Sequence, residues 1–431
     1  MDWNKLYQSR IVTAAEAVQH IKSGDRLFLT GNCSVPQKVL AALVAYAPNL
    51  HDVEICQALT VGPADYVAPE MAGHIRVNTM FISANVRKAV HEGRADFTPV
   101  LLSEFTLLFK NGLLPVDVAL IHCSPPDEHG FCSLGIEVGL TKSPAESAKI
   151  IIAEVNQRMP RTLGDSFIHV SRLNYIVPVD YPLQEMAMHG EGPSETTEAM
   201  AAHIADLIPD GATMQMGIGA VPDAVLKYLF HKKDLGIHTE LFSDGIMELV
   251  DAGVLTNARK TIHPGKIIAG FIIGTHKLYD WCDDNPLIEL HRSEYVNDPF
   301  VIAQNERQVA INSAIEVDLT GQVCADSIGH RLFSGVGGQL DFIYGASRSK
   351  GGVPIIALPS TAKEFSRIVP TLKLGAGVVT TRNHVRYVVT EYGVADLYGR
   401  TIRERAHSLI AIAHPQFRDE LTYQARQMNY I

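Results

Sequence analysis

Glu240 stands in the run Gly236-Ile237-His238-Thr239-Glu240-Leu241-Phe242-Ser243-Asp244-Gly245, shortly after the glycine turn Gly217-Ile218-Gly219-Ala220-Val221. A carboxylate is a nucleophile or a general base once it is ionised and aimed at an electrophilic carbon. A glycine turn that closes a strand and opens a helix points backbone N–H groups at an anion or a developing oxyanion. The second glycine removes a Cβ where a ligand would approach the backbone. Together the two segments suit acyl chemistry at the carboxyl edge of a parallel sheet. Each has a plainer reading. Glycine turns after strands are commonly structural, and a strand-end glutamate serves equally well as a solvated salt-bridge partner.

A second cluster, Ile121-His122-Cys123-Ser124-Pro125-Pro126-Asp127-Glu128-His129-Gly130-Phe131-Cys132, carries the residue types of a metal or Cys–His site. Asp127 and Gly130 recur as Asp318 and Gly321 without histidine or cysteine, so a shared structural turn is expected there and no metal site is assigned. The chain has no HExxH helix and no G-x-S-x-G elbow, which removes support for zinc or serine hydrolysis. Pro222 holds the sixth position of a GxGxxG run begun at Gly217, which argues against a dinucleotide fingerprint.

The elements that must hold these residues are legible from apolar patterning. VDVALIHC, AKIIIAEV, KIIAGFIIG, VPIIALP and VRYVVTEYG are near-continuous apolar runs that alternate with helical stretches. Such runs predict strands buried on both faces, in an α/β fold with mainly parallel sheets. An internal repeat organises them. SGDRLFLTGNCSVPQKVL aligns with PDGATMQMGIGAVPDAVL at an offset of 186, with Gly31 on Gly217, Pro36 on Pro222 and Glu54 on Glu240. ALIHCSPPDEHG aligns in turn with AINSAIEVDLTG. Two related open α/β lobes follow, 1–188 and 189–431, joined through Pro182, Gly190, Gly192 and Pro193. The second lobe alone pairs the double-glycine turn with a glutamate whose strand runs straight into Ser243-Asp244-Gly245.

Bulk properties bound the partners. A chain of 431 residues exceeds one hydrophobic core, and 46% hydrophobic with 19% charged residues is ordinary for a globular enzyme. The formal charge of -10, with no Lys/Arg run, speaks against a nucleic acid or an anionic membrane surface. The opening MDWNKLYQSR lacks a signal peptide's apolar centre, and the apolar runs are too short to span a bilayer. The six cysteines, with no CxxC pair, read as reduced buried thiols of a cytoplasmic protein.

Taken together, SPPDEHGFCSLG, AEVNQRMPRTLGDSFIHVS, GIGAVPDAVL, LGIHTELFSDGIMELVDAGV, SIGHRLFSGVGGQLDFIYGAS, SRIVP, YVVTEYGVADLYG and AIAHPQF resemble the acetyl-CoA hydrolase/transferase family of class I CoA-transferases over essentially the whole chain. The likeness is greatest to its members that act on 4-hydroxybutyrate and on butyryl-CoA with acetate. The resemblance implies that Glu240 is the catalytic residue, that Gly217, Ile218, Gly219, Ala220 and Val221 contact CoA, and that Gly337 and Gly338 help form an oxyanion site. It further implies roles in gripping CoA for Asn297, Asn312 and Lys363. It implies CoA transfer between acetyl-CoA and a short-chain acid, with CoA as substrate, no permanent cofactor and a homodimer or higher oligomer. An acyl-CoA hydrolase using the same glutamate, and a non-catalytic sensor of CoA esters or sugar phosphates, are the alternatives; a rate that depends on an acceptor acid separates them.

Overall fold

The computed structural model describes residues 2–186 and 194–431. Seven strands form one sheet: β1 (Arg26–Leu29), β2 (Val53–Gln57), β3 (Ile75–Thr79), β4 (Ala95–Phe97), β5 (Val118–Cys123), β6 (Ile150–Asn156) and β7 (Tyr175–Val179). Their order is 7-6-5-1-2-3-4 and every pair is parallel. A second sheet holds β8 (Thr213–Met216), β9 (Gly236–Ile237), β10 (Gln308–Ser313), β11 (Val353–Ala357), β12 (Tyr387–Thr390) and β13 (Gly393–Asp396). Its order is 9-8-10-11-12-13, parallel except for the final hairpin. The central strands carry unbroken apolar runs because helices cover both faces; β5 is buried along its whole length.

The duplication is visible in the topology. β1 lies between β2 and β5 as β8 lies between β9 and β10, and 7-6-5-1-2 matches 12-11-10-8-9. The aspartate turns match atom for atom. Asp127 Oδ1 accepts from the amides of His129 and Phe131, and Asp318 Oδ1 from those of Thr320 and Gln322. Gly130 and Gly321 both take positive φ, 85° and 94°. The His122–Cys132 cluster is therefore built around a turn: His122 and both cysteines are buried on the strands, while His129 is exposed at the tip.

Three expectations change. The contact-defined units are not continuous. One comprises 1–187 with 268–296, the other 188–267 with 297–431. Segment 268–296 belongs with the first unit because Ile288–Leu290 pairs in parallel with Leu163–Gly164, and Arg292 Nε bonds Asp165 Oδ2 at 2.6 Å. KIIAGFIIG joins neither large sheet as a continuous strand. It breaks at Gly270, whose carbonyl accepts the amides of Val138 and Gly139 and packs against Gly139 with no room for side chains. Finally, Glu54 is not the counterpart of Glu240. Leu27 pairs with Ile55 and Thr213 with Gly236, so Gly236 takes the place of Ile55. Glu54 sits at the start of β2, bound to Arg26 Nε at 2.7 Å and Asn78 Nδ2 at 3.0 Å, at the opposite end of the sheet from a site at the carboxyl edge. The expected join at 188/189, with Gly190, Gly192 and Pro193, lies outside the described residues. All six cysteines are buried thiols, and among the described residues no helix is long and apolar enough to cross a membrane.

Candidate active site

The second unit brings Glu240, Asn297 and Gly338 together. β9 is only two residues long, and the chain bends at Glu240 before resuming as Leu241–Phe242. Asn297 Nδ2 donates to Glu240 Oε2 at 3.1 Å, and the Gly338 amide also donates to this carboxylate. Glu240 keeps some solvent access, whereas Asn297 is fully buried. Burial pushes the Glu240 carboxyl up to about 7, against the two hydrogen bonds, which favour the charged form. A carboxylate so placed is held in one orientation by donors, yet is poorly hydrated.

Gly338 is required by space. A Cβ there would overlap Glu240 Oε2 and Asn297 Nδ2. Gly337 is required by conformation, at φ 58°. The pair opens the helix Gln339–Arg348, whose N-terminus has no side-chain cap. Gln339 Nε2 donates to the Ser313 carbonyl at 2.9 Å and ties this helix to the carboxyl end of β10.

Beside this cluster runs the glycine turn. Gly219, at φ 128°, precedes the helix Ala220–Lys227, again with no side-chain cap. Pro222 lies in its first turn, where a missing N–H costs nothing, and Ala224, Val225 and Leu226 face the core. No atom lies within 4 Å of a Cβ built on Gly217. Its repeat partner Gly31 is the reverse: a Cβ there would strike the Ala58 carbonyl, and the Asn32 amide bonds the Leu59 carbonyl. Backbone takes the space beside Gly31, and the space beside Gly217 is free.

The other expected residues fall differently. Asn312 Nδ2 bonds Gln215 Oε1 at 3.1 Å, joining the ends of β10 and β8 rather than holding Glu240. Lys363 is exposed, at φ 55°, in the hairpin between Thr361–Ala362 and Phe365–Ser366. No hydrogen bond or ion pair joins it to Glu240, Asn297 or Gly338 among the described residues. Gln215, Thr239 and Gln339 were not singled out from sequence. The available signals were a glutamine inside the apolar strand Met214-Gln215-Met216 and polar neighbours directly beside Glu240 and Gly338.

Comparison with known proteins shows the family to which the fold belongs. The N-terminal domain of the acetyl-CoA hydrolase/transferase family matches residues 1–182 and its C-terminal domain residues 274–425. The 4-hydroxybutyrate coenzyme A transferase of Clostridium kluyveri is 52% identical over 98% of both chains. The butyryl-CoA:acetate CoA-transferase of Anaerostipes caccae is 37% identical over 99% of this chain and 98% of its own. The crystal structure of RipA from Yersinia pestis superposes with a TM-score of 0.94 at 37% identity, covering 100% of both chains. With two α/β units duplicated along its length and these relatives spanning nearly all of it, the chain belongs to the acetyl-CoA hydrolase/transferase family and is an enzyme that transfers CoA.

Proposed function

We propose that the protein moves CoA between acetyl-CoA and a short-chain carboxylic acid, 4-hydroxybutyrate or butyrate, with Glu240 as the covalent carrier. The observation that carries this reading is the Glu240 carboxylate, oriented by Asn297 and the Gly338 amide and left partly open beside an unfilled glycine turn. The acids follow from the names of the similar transferases. A homodimer or higher homo-oligomer is part of the same reading.

The exchange is nearly isoenergetic, because one thioester replaces another; the difficulty is kinetic. Glu240 attacks the acetyl-CoA carbonyl, the C–S bond breaks, and an acetyl-glutamyl anhydride and CoA thiolate result. The thiolate attacks the glutamyl carbonyl and expels acetate, leaving a glutamyl-CoA thioester. The acceptor carboxylate attacks that thioester, giving a new mixed anhydride and thiolate. The thiolate then takes the new acyl group and frees Glu240. No net proton is consumed. Each step passes through a tetrahedral oxyanion, and the amides of Gly338 and of the 217–221 turn are suited to stabilise it; one such donor is worth roughly 2.7–4 kcal/mol in other enzymes. Binding energy from the distant part of CoA, which Asn312 and Lys363 would help supply, lowers the same barriers.

Incubation with acetyl-CoA followed by borohydride reduction and peptide mapping tests the carrier. Modification of Glu240 and ping-pong kinetics are expected. Activity intact in Glu240→Ala, with Glu240 unmodified in the parent protein, would sink the mechanism. Thioester loss that does not depend on an acceptor acid would identify a hydrolase instead.

A further inference from the structure

The ladder between β8 and β9 ends in an unusual way. In regular parallel pairing the Met214 carbonyl accepts from His238, as it does here at 3.1 Å, and Met216 would next exchange bonds with the backbone of His238 and Glu240. The Thr239 side chain takes over that step. Met216 N–H donates to Thr239 Oγ1 at 3.4 Å, and the hydroxyl has the carbonyls of Leu241, at 2.8 Å, and Met216, at 3.2 Å, within reach of its proton. Thr239 is buried, and its hydroxyl thus spans from the residue before Gly217 to the residue after Glu240. The substitution frees the Glu240 backbone from the sheet, so that it bends, while keeping the bend tied to the strand that leads into the glycine turn.

We propose that Thr239 is a positioning residue, whose hydroxyl sets the distance between the Glu240 carboxylate and the 217–221 amides. This rests on Glu240 being the nucleophile. Thr239 does not touch substrate; it acts through the two backbone segments that do. A hydroxyl suits the place because it alone, at that size, accepts from one segment and donates to the other. Valine keeps the shape and loses both bonds, alanine loses them without crowding, and serine keeps them.

The test measures kcat and KM for transfer from acetyl-CoA in Thr239→Val, Thr239→Ala and Thr239→Ser, each checked for folding by thermal melting. Loss of position by about 1 Å is expected to lower kcat by ~10–100-fold in Val and Ala, with KM for acetyl-CoA within about twofold, and Ser is expected to restore most of the rate. Should Val fail to fold, Ala against Ser gives the same comparison. Wild-type kcat in Ala, or a folded Ser variant no faster than Ala, overturns the proposal. Adduct mapping on the parent protein separates the two ideas. An unmodified Glu240 defeats the carrier reading, whereas a modified Glu240 alongside unimpaired Thr239 variants defeats this one alone.

Discussion

A single methyl group on Gly338 tests whether the Glu240 geometry is what the chemistry uses. Gly338 lies at φ -95° and ψ 8°, which alanine adopts without penalty, so Gly338→Ala perturbs space and not backbone. The new Cβ would overlap Glu240 Oε2 and Asn297 Nδ2 and lie 3.4 Å from Glu240 Cδ. Non-bonded carbon contacts settle at about 3.5–4.0 Å, so the carboxylate oxygen must retreat by about 1 Å. It retreats from both its donors, the Asn297 amide and the Gly338 N–H. A misplacement of that size costs about 100-fold in rate, or about 2.7 kcal/mol of barrier. Initial rates of CoA transfer from acetyl-CoA should show kcat lower by about two orders of magnitude, with a melting temperature close to that of the parent. A Gly338→Ala protein that keeps kcat within about threefold would refute the reasoning, since no placement of the methyl leaves Glu240 where it stands.

The raised pKa sets the pH dependence. Glu240 must be ionised to attack, so kcat/KM for acetyl-CoA should rise with pH through an apparent pKa near 7, and a profile flat from pH 5 to 8 would contradict the assignment. The folded state holds this proton more tightly than the unfolded chain, at about 7 against 4.5. The ionisation penalty is therefore absent below pH 4.5, grows as pH rises and is complete above 7. Glu240→Gln, inactive, should be more stable than the parent by up to about 3 kcal/mol at pH 8 and by much less at pH 5, as read by denaturant unfolding. In the first unit, Glu154 is buried, accepts the Val39 amide at 2.5 Å and is bonded by the Tyr181 hydroxyl. Glu154→Ala strands those donors and should cost about 2–5 kcal/mol, seen as a lowered melting temperature.

Much of this was legible in the sequence because buried parallel strands write themselves as apolar runs, as in β5, β6 and β11. Glu240 and the turn at Gly217 could be singled out for a related reason, since turn chemistry is local, whereas Gly337 and Gly338 came only from family likeness. What sequence misplaced was non-local. Glu54 aligned with Glu240 without a gap, yet the strand pairing differs because β9 leaves its sheet after two residues; only the register shows it. KIIAGFIIG scans as one strand, but Gly270 is held by the amides of Val138 and Gly139 from far up the chain. Asn297 was singled out by family likeness as a grip on CoA; its bond to Glu240 is a structural finding, since nothing in Tyr295-Val296-Asn297-Asp298-Pro299 says which carboxylate it will meet. Lys363 came by the same likeness, also as a grip on CoA, and stands exposed in a hairpin.

The same fold, used twice, surrounds the helix after its glycine turn differently in the two copies. In the first unit the amide of Val39, in the helix Gln37–Tyr46, is satisfied by the protein's own carboxylate, Glu154 on β6. Burial drives that carboxyl up to about 7, as it does Glu240. Register places Ile356 of β11 where Glu154 stands, so β11 offers no carboxylate at that place to the helix after the second glycine turn. An uncapped helix N-terminus attracts negative charge. A turn that keeps this feature, and lacks the backbone that fills the space beside Gly31, is suited to an anionic ligand. The charges that CoA transfer generates, a carboxylate, a thiolate and successive oxyanions, are of the sign it lacks.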